Sequence, residues 1–453
     1  MNIDSVKKMP KVLLIISLII FNLSFTKAEN LSIDSVSTVF VSLPATIDSI
    51  FITGETETDF DIIERELTLK VGQEVDSSQL YYDRERIYSL GIFTRVKLSV
   101  IRVDDKNVLR IFIEDSWNIW PIPYAYLQDN DWKRLSFGLD LYFHNFRGRN
   151  EKFRVKGGAG FDPMIGVQYS IPDLFRKEQI SLDFSVEYKS VTNRSLKAET
   201  IYGSVFEQKF FGTSLMIGKR YNLFHKFSTY IGFSYIETPI YFPQISIYGD
   251  RIDRIGYLGF RYTYDTRDLI QFPSKGISLF ADYQFKGIGN KEINYRIMLL
   301  DFRSYEPMIY GFTTKWRLST RQTFGDKIPY YDYSIIGFGE RIRGHFNKKK
   351  EGDNLYKGSF ELSRSIINNW DISFDLPLVP RELTTYRVEI HAQIFADAGF
   401  VEKKTYPVSL RDIDRGFGFG FTFLVLPYNI ARAELAFNES FKSEIILVLG
   451  ISF

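Results

Sequence analysis

Between Thr46 and Trp117 the spacing of apolar residues changes twice. Ile47 to Thr53 alternates and closes on Gly54, which predicts a strand. Asp59 can cap a helix running through Leu67, Gly72 ends the turn after it, and Asp76 or Ser77 can cap a second helix that reaches Leu90. Gly91 is placed as a C-terminal helix stop. Phe93 to Val103 and Val108 to Glu114 alternate again, as a hairpin around Asp105, Lys106 and Asn107. The predicted order is strand, helix, helix, strand, strand, within a domain-sized interval of about 70 residues.

After Trp117 helical spacing disappears and only alternation remains. Ile180, Leu182, Phe184, Val186 and Tyr188 face one way, while Ser181, Asp183, Ser185 and Glu187 face the other. Val388, Ile390, Ala392 and Ile394 likewise oppose Glu389, His391, Gln393 and Phe395. At the end of the chain Ile445, Leu447, Leu449, Ile451 and Phe453 share a greasy face, opposite Ile446, Val448, Gly450 and Ser452. Charges at every second position put water on one face, and the apolar residues opposite put lipid on the other. A soluble sandwich would bury its greasy face. Such segments number about sixteen, the even count of bacterial barrels. The stretch 196 to 221 can hold one strand or two. The fold expected is an α+β domain followed by an all-β transmembrane antiparallel barrel.

The first residues add an address. Lys7, Lys8 and Lys11 precede an apolar run from Val12 to Phe25 and the small-residue site Thr26-Lys27-Ala28. That is the layout of a cleaved secretory signal, too short to span a bilayer. The expected division is 1–28 signal peptide, 46–116 small domain and 117–453 barrel. With no cysteine in the chain, disulfides and thiolate metal sites are excluded. Aromatics at 16% suit girdles at two membrane interfaces. A net charge of +2 gives no reason to expect a nucleic-acid partner. The four histidines, His144, His225, His345 and His391, stand in no metal-binding or hydrolase spacing, so neither cofactor nor enzymatic activity is expected.

The N-terminal element order, with Leu67, Gly72, Tyr88-Ser89-Leu90-Gly91 and Phe93 at these spacings, resembles the POTRA domain of outer-membrane assembly and secretion proteins. Gly337-Phe338-Gly339-Glu340-Arg341-Ile342-Arg343-Gly344-His345 lies in a connection of roughly 323 to 354, too long for an idle hairpin loop. It resembles the sixth-loop motif of the BamA/TamA-type superfamily, although His345 stands where Phe or Tyr is usual. Phe395-Ala396-Asp397-Ala398-Gly399 resembles that superfamily's Phe-x-Asp-x-Gly strand, and Glu361 sits where the family has a second carboxylate. Tyr264-Asp265-Thr266-Arg267-Asp268 with Phe272-Pro273-Ser274-Lys275-Gly276 resembles a family turn between mid-barrel strands, a structural signature. Asn145-Phe146-Arg147-Gly148, Arg415, Gly418, Gly420 and Pro427 also match family positions.

The resemblance implies that Arg343, beside Gly344, folds inward to meet Glu361 and Asp397 near Gly399. Two carboxylates facing a lumen repel unless a cation lies between them, and a guanidinium can bridge both. It also implies a role in inserting or translocating unfolded outer-membrane or secreted client proteins, in the outer membrane and with the POTRA domain in the periplasm. Periplasmic chaperones or lipoproteins are possible partners of that domain. Clients would add a strand to the sheet edge carrying Ile47, Ser49, Phe51 and Thr53. Leu449, Ile451 and Phe453 read as the C-terminal assembly signal. Pro121 and Pro123 either weaken a barrel seam closed by the last strand, with Gly450 adding slack opposite them, or mark an interdomain linker. A single POTRA domain departs from the general assembly factor, which usually carries several. The alternative is a dedicated secretion pore of the two-partner type, which usually has two such domains and a plug helix for which residues 29 to 45 leave too little chain.

Overall fold

A computed structural model of the chain describes residues 39–127, 132–243, 245–247, 249–290, 292–346, 348–404 and 409–449. The expected leader at 1–28 and the terminal positions Gly450, Ile451 and Phe453 lie outside the described residues.

The N-terminal domain contains β1 (Val39–Phe40), β2 (Ala45–Thr46), β3 (Ser49–Glu55), α1 (Phe60–Glu64), β4 (Glu74–Val75), α2 (Ser77–Tyr88), β5 (Phe93–Val103) and β6 (Lys106–Asp115). Its sheet runs β1-β5-β6-β3, with β3 parallel to β6 and at one edge. A reciprocal cap starts α2: Asp76 accepts from the Gln79 amide and the Gln79 side chain accepts from the Asp76 amide. Asp104 and Asp105, both at positive φ, make the tight turn between β5 and β6.

Two expectations for this domain change. Helix α1 stops at Glu64 rather than Leu67, and Asp59 holds the N-cap position without making a side-chain cap bond. Its carboxylate pairs instead with the guanidinium of Arg176 in the barrel, because a charged partner outbids a neutral amide. Ile47 does not share the exposed edge of β3: it precedes the strand and is fully buried in the domain core with Ile63, Ile87 and Ile111.

The barrel begins with β7 (Ile119–Leu127), β8 (Leu135–Phe146), β9 (Glu151–Gly160), β10 (Met164–Phe175) and β11 (Ile180–Thr192). It continues through β12 (Glu207–Arg220), β13 (His225–Glu237), β14 (Ile252–Asp265), β15 (Gly276–Ile288), β16 (Tyr295–Pro307) and β17 (Phe312–Phe324). A small hairpin of β18 (Ser334–Ile336) and β19 (Lys350–Gly352) lies within the long loop. The wall then resumes with β20 (Asn354–Ser373), β21 (Thr385–Glu402), β22 (Asp414–Leu426), β23 (Asn429–Asn438) and β24 (Ser443–Leu449). Apart from β18 and β19, these form one 16-stranded sheet of antiparallel neighbours whose edges are β7 and β24. Among the described residues no ladder joins those two edges. The ambiguous stretch 196 to 221 holds one strand, β12, preceded by α3 (Leu196–Tyr202), capped by Ser195 and ended by Gly203 in the left-handed region.

Along β22 the pattern is at its plainest. Phe417, Phe419, Phe421 and Phe423 are exposed on the outside, while Gly416, Gly418, Gly420 and Thr422 face the lumen. Arg317, Glu361, Arg387, Glu389, Gln393, Arg432 and Glu434 are all buried inside. Greasy outside and charged inside is the reverse of a soluble core and is the arrangement a bilayer demands.

Candidate functional site

The loop between β17 and β20 turns back into the lumen instead of standing on the rim. Gly344 makes the approach possible: its φ is +91°, and a Cβ there would lie 2.6 Å from the Phe437 carbonyl oxygen of β23. Gly416 does the same from the wall, where a Cβ would lie 1.6 Å from the Arg343 carbonyl oxygen. Glycine on both sides lets loop backbone press against strand backbone. Gly399 adds room beside them, since a Cβ there would meet Ile342 Cδ1 at 2.7 Å.

Arg343 is thereby delivered, 6% exposed, into the lumen. Its Nε donates to Asp397 Oδ2 at 2.8 Å and its Nη2 to Asp397 Oδ1 at 2.7 Å, a two-point fork. The Arg343 amide also donates to Asp397 Oδ2, at 3.2 Å. Nη1 reaches Glu434 Oε1 at 3.0 Å and, more loosely, Glu361 Oε2 at 3.4 Å. The guanidinium lies 3.7 Å from the ring centroid of Phe395, two residues before Asp397 and on the same lumenal face.

The acids have further cations. Arg432 Nη2 donates to Glu361 Oε2 at 2.7 Å and Lys315 Nζ stands 3.3 Å from Glu361 Oε1. Thr422 links Arg432 to Gln393, at 3.1 and 2.8 Å. Three acids and three bases, from the loop and from β17, β20, β21 and β23, thus balance in the lumen. Nearer the loop tip, Glu340 is held by Arg317 (2.5 Å) and Lys357 (3.2 Å), and His345 Nε2 lies 2.6 Å from Glu439 Oε2.

Arg343, Glu361 and Asp397 are the site residues expected from the sequence, and the structure brings them together. Glu434, Arg432 and Lys315 are not among those expected, although the sequence carries their signal: Arg432 and Glu434 alternate with Ala431, Ala433 and Leu435, as Lys315 and Arg317 alternate with Trp316 and Leu318. Parity places them in the lumen but does not say which acid each one meets.

At the other end of the barrel the N-terminal domain packs against the wall. Both carboxylate oxygens of Glu85 of α2 accept from Arg387 Nη1 (3.0 and 2.8 Å), and Arg387 Nε donates to Glu389 at 2.7 Å. Ser89 bonds the Asp268 carbonyl at 3.0 Å, and Tyr82 the Thr266 carbonyl at 2.9 Å. Leu269, Phe272, Leu424 and Leu426 of the barrel share one apolar cluster with the domain core. The turn at 265 to 275 is the floor on which the domain rests. Of the edge positions, Ser49, Phe51 and Thr53 lie on β3, with Phe51 exposed. Leu449 closes the described part of β24 and is exposed on the outer face. Among the described residues no group of His, Asp and Glu is arranged to hold a metal ion.

A 16-stranded barrel with a charged lumen, a greasy exterior and one docked POTRA domain defines an outer-membrane β-barrel protein. A family model described as "Omp85 superfamily domain" matches residues 145–443, and one for POTRA, described as "Surface antigen variable number repeat", matches residues 45–115. The chain belongs to the Omp85 superfamily. Comparison with curated protein sequences finds no match. Among solved structures, BamA from Haemophilus ducreyi lacking POTRA domains 1–3 is similar in fold, with a TM-score of 0.51 at 17% identity over 89% of this chain and 84% of that one. CdiB from Acinetobacter baumannii (TM-score 0.45, 14% identity, 90% of this chain and 73% of that one) and CdiB from Escherichia coli (0.48, 12%, 92% and 91%) are also matched.

Proposed function

We propose that the protein assists insertion or translocation of client proteins at the outer membrane, with the POTRA domain in the periplasm capturing unfolded clients. The observation that carries this reading is the outer edge of β3. Beyond its pairing with β6, the strand has no second ladder partner among the described residues, and it belongs to a domain docked on the barrel floor. An unpaired row of backbone donors and acceptors is a template for an extended segment. Edge strands β7 and β24 offer the same chemistry at the membrane, with Pro121 and Pro123 removing two donors from β7. The latch around Arg343 would hold the loop inside while clients pass at that seam. Chaperones or lipoproteins would meet the same periplasmic domain.

Site-specific photocrosslinking tests the capture step. A crosslinker at Phe51, 60% exposed on β3, should trap unfolded outer-membrane or secreted proteins, whereas one at Val103, 46% exposed on β5 and two strands in from that edge, should not. Equal capture at both positions would refute strand addition at β3. The alternative, a dedicated secretion pore, is separated by a quantitative proteome after depletion. Loss of many unrelated barrels supports general assembly, and loss of one exported protein with its periplasmic accumulation supports the pore.

A further inference from the structure

Where the POTRA domain meets the barrel floor, three guanidinium groups converge on one carboxylate. Glu66 accepts from Arg220 of β12 at 2.6 and 3.0 Å, from Arg86 of α2 at 3.0 Å, and faces Arg65 at 3.6 Å. Arg65 also pairs with Asp173 of β10 at 3.2 Å. These groups and Lys226 of β13 line a cavity of about 250 Å³.

One further cation and two further acids stand on its wall. Arg267 and Asp265 neutralise each other at 2.6 Å, and Asp268 is held by the amides of Ser274 and Lys275 in its own turn. In all, five cations and four anions line the cavity, a surplus of one positive charge. Lys226 has no hydrogen bond or ion pair among the described residues; Asp183 favours its charge, while Arg220, Arg261 and Arg65 oppose it. Arg65 Nε is buried without a hydrogen-bond partner, as is one oxygen of Asp173. Burial lowers the pKa of the Arg65 guanidinium, Glu66 offsets this only in part, and Arg220 adds to the lowering. Like charges gathered out of bulk water are expensive unless an anion joins them.

We propose that this cavity binds a phosphate-bearing anion that clamps the POTRA domain to the barrel. A phosphate group carries one to two negative charges at neutral pH, one as a diester and up to two as a monoester or inorganic phosphate, and presents several acceptor oxygens, which answers the surplus positive charge and suits the guanidinium donors. The volume holds such a group with several waters, at ~30 Å³ for each water. Arg65 and Arg86 come from the domain, Arg220 and Lys226 from the wall. The complete site exists only in the docked arrangement, so the anion stabilises docking by mass action. Inorganic phosphate and the phosphate of an anionic lipid headgroup share this chemistry.

The full chain in nanodiscs, labelled on the POTRA domain and on the barrel, gives the test through the label-to-label distance distribution. Inorganic phosphate titrated at constant ionic strength into phosphatidylcholine discs should narrow the distribution toward the docked distance. Lys226→Gln should weaken that response at least tenfold, and Lys226→Arg should preserve it. If phosphate has no effect there but discs containing phosphatidylglycerol give the narrowed distribution, again lost in Lys226→Gln, the ligand is the headgroup. Narrowing by neither source, or narrowing that Lys226→Gln leaves intact, overturns the proposal. Lys226 makes no side-chain hydrogen bond or ion pair among the described residues, so its replacement breaks none, and Lys226→Arg controls for the loss of side-chain packing.

Discussion

Arg343 and Asp397, on a loop and on the barrel wall, meet through two parallel side-chain hydrogen bonds and a third from the Arg343 backbone. Phe395 supplies the stacking surface and Gly416 the room, so three residues serve to place one guanidinium. The neighbours differ in how far they depend on it. Glu361 keeps Arg432 and Lys315 if Arg343 is lost, whereas Asp397 has no other hydrogen-bonded cation among the described residues.

Arg343→Ala should therefore strand Asp397 above all. Removing one partner of a buried pair costs about 3–5 kcal/mol, and the loop that carries the residue should absorb most of it. Urea unfolding should show the loss, and limited proteolysis should cut within 325–353 at protease concentrations that spare the parent chain. Arg343→Lys restores charge without the fork or the stacked plane and should recover only part of the stability. A parent-like urea midpoint and cutting pattern for Arg343→Ala would refute the latch.

Gly416→Ala tests the same contact from the wall while leaving every charged group in place. A methyl at 1.6 Å from the Arg343 carbonyl oxygen cannot be accommodated, so the loop must lift and the Asp397 bonds must lengthen. Overpacking of this kind costs about 1–3 kcal/mol. The proteolytic pattern should resemble that of Arg343→Ala, and a parent-like pattern would mean that the loop backbone does not lie against β22.

The readability of these elements in the sequence follows from how local their causes are. Alternation along a strand and the caps of α2 depend on neighbours a few residues away, so the strand count and the POTRA order could be read directly. Helix α3 could not: its seven residues are too few to hold a helix alone, and Ala198 is buried in a cluster with Phe206, Phe242 and Tyr330 from three other segments. Asp59 presents as a cap in the sequence because the competing cation, Arg176, is far away along the chain. The same holds for Glu434 and Arg432, whose lumenal face is legible but whose partners are set by barrel register and by the fold of the loop.

Docking of the POTRA domain depends on Arg387. Glu85 is fully buried against it, with Arg84 as its other cation at 2.5 Å. Arg387→Ala should leave Glu85 and Glu389 facing each other without the intervening guanidinium, at a cost of about 3–5 kcal/mol. The two carboxylates lie in different parts of the molecule, so the strain is relieved by letting the domain swing away. Label-to-label distances should broaden while the heat-stability of the barrel, followed by gel mobility, changes little. A barrel that loses heat-stability with distances unchanged would place the role of Arg387 inside the wall instead.

Acid should act on docking and on the domain with opposite signs. Burial pushes the Glu66 carboxyl up, but Arg220, Arg86 and Arg65 together outweigh it and hold the pKa below the ordinary glutamate value. A depressed folded-state pKa contributes stability that is fully present above the unfolded value and is lost as pH falls through the folded one. Docking should thus be constant from neutral pH down to the ordinary glutamate range and weaken only below it. Asp83, inside the domain, shifts the other way: burial raises it, and the amides of Thr68 and Leu69 with the Thr68 hydroxyl offset this only in part. Its contribution is therefore full below the unfolded aspartate value and declines as pH rises through the raised one. A pH titration of the interdomain distance should show release on the acid side while amide exchange in α2 stays slow, and Glu66→Gln should undock at neutral pH and abolish the acid step. Release that begins near neutral pH, or an acid step that survives in Glu66→Gln, would assign the effect to other groups.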